Sequence, residues 1–95
     1  MSTTKKRMEC VVRGRVHMVM FRDFAKQSAE KFGIVGTVRN ADDGTVRIVA
    51  EGESDALENF LNAIRKGPFL SRVDSVETIY KDPTGEFSDF AILYG

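Results

Sequence analysis

Two polar residues, separated in the chain, carry the chemistry most directly open to this protein. Arg22 closes the run Gly14-Arg15-Val16-His17-Met18-Val19-Met20-Phe21-Arg22, and Asn40 follows the apolar-rich stretch Val35-Gly36-Thr37-Val38-Arg39. The run joins a segment with strand patterning to one with helix patterning, so it reads as a loop that delivers a helix N-terminus. The first backbone N–H groups of a helix have no intrahelical acceptor, and Arg22 adds a permanent cation whose planar fork matches phosphate oxygens. His17, Met18, Val19, Met20, Phe21 and Arg22 therefore form a candidate phosphate-binding loop. A Gly and an Arg at a strand–loop–helix junction also suit a plain connection, and local chemistry leaves both readings open.

Asn40 offers an amide carbonyl and NH2 able to position a water. Neither Arg22 nor Asn40 moves protons usefully at neutral pH, and no cluster of carboxylates suggests a Mg²⁺ site. A site built from positioning and electrostatics alone suits phosphoryl transfer to water only when the leaving group is good. An acyl phosphate meets that requirement, because its leaving carboxylate is stable as an anion without being protonated. Other polar residues have simpler readings. His17 suits loop structure or hydrogen bonding better than proton transfer, Phe21 and Phe24 read as helix-core anchors, and Asp42 and Asp43 as turn residues.

The elements that must position these residues are legible in the hydrophobic pattern. From about Arg7 to Arg13, Met8, Cys10 and Val12 alternate with polar neighbours, as in a half-buried strand. Phe21, Phe24, Ala25, Ala29 and Phe32 recur at helical spacing up to Gly33. Two strands follow, Val35 to Arg39 and Thr45 to Glu51, joined by Asp42-Asp43-Gly44 as an antiparallel hairpin with Val46, Ile48 and Ala50 inward. A second helix is expected from a Ser54 or Asp55 cap, carrying the stripe Leu57, Phe60, Leu61 and Ile64 and ending at Gly67-Pro68. Arg72 to Tyr80 reads as a strand with a bulge or irregular start, because Val73, Val76 and Ile79 break strict alternation. After a turn at Asp82-Pro83-Thr84-Gly85, Phe87 to Leu93 supplies a last strand with Phe90 and Ile92 inward. The order predicts an α+β, ferredoxin-like split βαβ (βαββαβ) sandwich: an antiparallel sheet with two helices on one face.

Composition narrows the function classes. Ninety-five residues support one domain, read as a flexible tail over 1–6 and a single domain over 7–95. Fourteen Lys+Arg balance fourteen Asp+Glu, so nothing argues for a broad nucleic-acid surface, and any anion site must be local. The arginines Arg13, Arg39 and Arg47 fall on strands without the aromatic pair an RNA-binding sheet needs. No apolar run approaches membrane-spanning length and no signal-peptide pattern is present, so a cytoplasmic protein is expected. One Cys and one His exclude a Cys/His zinc cluster within one chain, and Cys10 reads as a small buried apolar residue.

The run from Gly14 to Arg22, the stretch from Gly36 to Val46, the segment Ser71-Arg72-Val73-Asp74-Ser75-Val76-Glu77 and the tail from Phe87 to Tyr94 together resemble the acylphosphatase family over nearly the whole chain. The first two motifs are the specific ones, including the spacing from Arg22 to Asn40. The resemblance implies a small metal-independent hydrolase without cofactor that cleaves acyl phosphates to carboxylate and inorganic phosphate. By the family pattern Arg22 is similar to the phosphate-binding arginine and Asn40 to the water-orienting asparagine. Two departures lie in the cradle: His17 stands where the family usually has Gln, and Met18 where it usually has Gly. If that position requires positive φ, Met18 would strain or shift the loop, which motivates an alternative reading as a weakly active or inactive phosphate-binding or regulatory module. The expected partners are a small-molecule acyl phosphate, with inorganic phosphate or sulfate competing. No nucleic acid, membrane or second copy of the chain is expected to bind.

Overall fold

The computed structural model describes residues 4–17 and 20–94. Its elements run β1 (Lys5–Arg15), α1 (Phe21–Lys31), β2 (Val35–Asn40), β3 (Val46–Glu53), α2 (Ser54–Lys66), β4 (Arg72–Lys81) and β5 (Phe90–Leu93). The five strands form one sheet in the order β4-β1-β3-β2-β5. β1 lies antiparallel to both β3 and β4, and β2 pairs antiparallel with β3 as the hairpin pattern predicts. The expected irregularity at the start of β4 is present: the β1–β4 register shifts between Arg13 and Gly14, where Arg13 faces Ser75 and Gly14 faces Val73.

The core lies between the sheet and the two helices. Met8, Cys10 and Val12 of β1 and Val46, Ile48 and Ala50 of β3 bury the alternate side chains that the period of two assigns to one face. Against them pack Phe21, Ala25 and Ala29 of α1 and Leu57, Phe60, Leu61 and Ile64 of α2. The Phe60 and Phe90 rings meet edge-on with centroids 5.9 Å apart, joining α2 to β5 within the core. Burial raises the titration of the Cys10 thiol, as befits an inert core residue.

Gly36 permits the closest approach in the sheet. Its φ is +147°, and a Cβ built there would fall 1.8 Å from the Val49 carbonyl oxygen, so any side chain would force β2 and β3 apart.

Three details differ from the sequence expectation. β1 begins at Lys5, with Lys5 and Lys6 paired to Glu53 and Gly52, so the strand reaches into the segment assigned to a tail. The N-cap of α2 is Glu53 with no side-chain cap, and the Ser54 N–H donates instead to the Thr4 carbonyl at 2.9 Å. The last strand spans only Phe90–Leu93 and pairs parallel to β2, which makes the sheet mixed. The cause is the connection over 82–89, which carries the chain from the β4 edge across the helix-free face to the β2 edge.

That crossover is pinned by a carboxylate. Glu51, only 4% exposed, accepts the N–H groups of Thr84 and Gly85 at 3.0–3.1 Å, the Thr84 hydroxyl at 3.0 Å and Arg7 Nη1 at 3.0 Å. Arg7 also meets Glu9 and Glu86, and its guanidinium lies 5.7 Å from the centroid of Phe87. Burial would raise the Glu51 carboxyl, but the two backbone N–H donors, the guanidinium and the hydroxyl outweigh it and hold the group at about 2.

Candidate active site

The strand-to-helix junction after β1 delivers the cradle to one end of the sheet. Val16 is buried, and Met20 turns the chain into α1 from a left-handed conformation (φ 57°, ψ 33°). Among the described residues no side chain caps α1, which leaves the N–H groups of its first turn without a capping acceptor there. Asp23 sits in that first turn. Met18 and Val19, part of the predicted cradle, lie outside the described residues.

Arg22 projects from this turn into a cavity of about 250 Å³ lined by His17, Met20, Phe21, Asp23, Ile92 and Tyr94. It enters no ion pair among the described residues, and its guanidinium lies 5.0 Å from the centroid of the Tyr94 ring. A cation stacked on an aromatic face is oriented but not neutralised, which leaves its charge for an incoming anion. Tyr94 follows directly on β5, whose last residue Leu93 pairs with Arg39, the neighbour of Asn40 in β2. The sequence motifs pointed to the tail only as a pattern match; Tyr94 and Ile92 become site residues through the parallel pairing.

Asn40 ends β2 opposite Val46 and does not line the Arg22 cavity. Its Oδ1 is buried and accepts no hydrogen bond from the described residues. A buried acceptor without a partner costs free energy of about 1–3 kcal/mol, so it is kept where a ligand or water is to be held.

One carbonyl couples the two halves. The Thr45 oxygen accepts the Ala41 N–H at 2.8 Å, immediately after Asn40, and stands 2.8 Å from His17 Nε2 in the cradle. The turn bearing Thr45 is stiffened by Asp43, whose carboxylate accepts the Thr45 hydroxyl at 2.6 Å, the Thr45 N–H at 3.1 Å and Arg47 Nη2 at 2.9 Å. These partners, the Thr45 hydroxyl foremost, hold the Asp43 carboxyl well below the usual carboxylate range. Asp43 thus acts in the turn, as its Asp-Asp-Gly context suggests. Among the described residues no three His, Cys, Asp or Glu side chains converge to hold a metal ion.

A two-helix, five-strand α+β sandwich with an arginine at an uncapped helix N-terminus and a buried amide at the end of β2 is the class of protein defined by this fold and site. A family model for acylphosphatase matches residues 8–92, and the chain belongs to the acylphosphatase family. It is 39% identical over 89 residues to an acylphosphatase of Salinibacter ruber, covering 94% of each chain. With an acylphosphatase of Dehalococcoides mccartyi it shares 42% identity over 88 residues, 92% of this chain and 97% of the relative. The crystal structure of acylphosphatase from Bacillus subtilis superposes with a TM-score of 0.91 at 35% identity, over 94% of this chain and 99% of that one. Family and fold support hydrolysis of acyl phosphates.

Proposed function

We propose that this chain hydrolyses a small-molecule acyl phosphate with Arg22 and Asn40 as its catalytic residues, and without a metal or cofactor. The observation that carries the reading is the pairing of an arginine free of carboxylate partners among the described residues, at an uncapped helix N-terminus, with the buried, unpartnered Oδ1 of Asn40. The phosphoryl oxygens rest on Arg22 and on N–H groups of the loop and the first turn of α1. Asn40 Oδ1 accepts one proton of a water and turns its oxygen lone pair toward phosphorus. The new bond forms between the water oxygen and phosphorus as the bond from phosphorus to the acyl oxygen breaks. That bonding pair leaves on the carboxylate, and the water's proton passes to phosphate or solvent. The carboxylate is a stable anion, which fits a site that supplies no general acid.

The same reading makes inorganic phosphate or sulfate a competing ligand and places a monomer in the cytoplasm. No helix among the described residues is long and apolar enough to cross a membrane. The test is release of inorganic phosphate from benzoyl phosphate in the presence of a chelator. Arg22→Ala and Asn40→Ala should each lower kcat/KM by roughly 100-fold or more, the loss typical when a charge-stabilising or positioning group is removed. Activity unchanged in both variants would overturn the assigned roles. The reading of a module with little turnover rests on Met18 standing where the family usually has Gly. It is tested in the same assay: Met18→Gly should then raise turnover, and no gain would remove it.

A further inference from the structure

His17 is the only histidine of the chain, and it occupies a position that the proposed reaction does not use for proton transfer. Its Nε2 stands 2.8 Å from the Thr45 carbonyl oxygen. A carbonyl can only accept, so Nε2 carries a proton whatever the charge of the ring, and Nδ1 is the nitrogen that gains or loses the titrating proton. The same ring lines the cavity into which Arg22 projects. From this placement we infer that His17 is an anion-binding residue of the site that works only when protonated, so that the cradle grips phosphoryl and sulfuryl groups more tightly as the pH falls.

Neutral, the ring presents the lone pair of Nδ1, which repels an anion's oxygens. Protonated, it presents an N–H and a second positive charge beside Arg22. The bond to Thr45 is made in both states, so titration changes the charge of the cavity without releasing the cradle from the turn that follows Asn40.

The surrounding charges are mixed. From α1 come Arg22 and Asp23, which both line the cavity. The β2–β3 turn brings Asp42 and Asp43, the latter engaged with Thr45 and Arg47, and the end of β5 brings the Tyr94 phenol, stacked on Arg22. Among the described residues no carboxylate hydrogen-bonds to His17, whose side-chain bond goes to a neutral carbonyl, so the attraction of its added charge is available to a bound anion. An anion in contact with an imidazolium raises the ring's titration by roughly one unit, which is a tenfold tighter complex below that titration than above it.

This inference rests on the proposed anion site and deepens it. Sulfate is the probe, because its own charge is constant where histidine titrates. Calorimetric titration should give a Kd for sulfate about tenfold lower near pH 5 than near pH 8. His17→Gln keeps an N–H donor for Thr45 but cannot titrate, and its Kd should stay flat at about the wild-type value found near pH 8. Independently of any variant, ¹⁵N NMR of the single histidine should show the neutral ring protonated on Nε2, and sulfate should raise its titration midpoint by about one unit. A flat sulfate profile in the wild type, a pH slope that survives in His17→Gln, or a neutral ring protonated on Nδ1 would each overturn the inference while leaving the anion site standing. Failure of the wild type to bind sulfate at any pH would overturn both.

Discussion

Replacing Glu51 by Gln removes one negative charge from the pin that fastens the crossover to the sheet. The carboxylate receives two backbone N–H groups, a hydroxyl and the Arg7 guanidinium, and an amide can accept through only one of its atoms. The lowering of this group from 4.5 to about 2 is equivalent to about 3 kcal/mol at neutral pH, reduced to about 2 kcal/mol because the Arg7 guanidinium that faces it keeps some contact with water. The sign follows from the direction of the shift. A carboxyl depressed in the folded state contributes its full stability above the unfolded value of 4.5, and loses it as the pH falls toward the folded value of about 2. Urea unfolding at pH 7 should therefore place Glu51→Gln about 2–3 kcal/mol below the wild type, with an unchanged m-value. By about pH 3 the gap should shrink to less than half, because the wild-type carboxylate is then losing its advantage. Equal stabilities at pH 7, or a gap that stays constant down to about pH 3, would refute the claim that ionised Glu51 holds the crossover in place.

Other perturbations test separate parts of the structure. Gly36→Ala drives a methyl group into the Val49 carbonyl at a positive φ, and chemical denaturation should register a loss of about 3 kcal/mol or more. Tyr94→Leu removes the aromatic face under Arg22; kcat/KM for benzoyl phosphate should fall about two- to fivefold, while Tyr94→Phe, which keeps the ring, stays near wild type. Equal losses in the two Tyr94 variants would show that the phenol hydroxyl, and not the stacking, is what matters.

The helices and inner strands were legible because burial repeats with their own period. The stripe Leu57, Phe60, Leu61, Ile64 and the alternation Val46, Ile48, Ala50 turn out to be the buried sets of α2 and β3. The α2 cap was not legible, since Ser54 is a good capping residue by type and only the nearness of Thr4 reveals where its N–H goes. Phe87 reads as the start of a strand in the same way, yet its ring lies over the Arg7 guanidinium of β1, a residue 80 positions earlier in the chain. In the proposed site, Arg22 and Asn40 are candidates by chemical type and spacing alone. The part played by Tyr94 depends on β5 running parallel to β2, and that of His17 on a carbonyl in a turn 28 residues away, neither of which leaves a periodic trace.

The inner place of β1, between β4 and β3, has a consequence for how activity appears during folding. Met8 faces Ala50 on one side and Tyr80 on the other, so the strand that leads into the cradle is held only by partners far along the chain. The β2–β3 hairpin can form from neighbouring residues, but it carries Asn40 alone. β1 and the β2–β3 hairpin, which carry the chain to the two proposed catalytic residues Arg22 and Asn40, join only through long-range closure, whose entropic cost slows folding. On the roles proposed for Arg22 and Asn40, a chain caught partway would hold one half of the site or the other, so native structure and hydrolysis should be regained together on refolding.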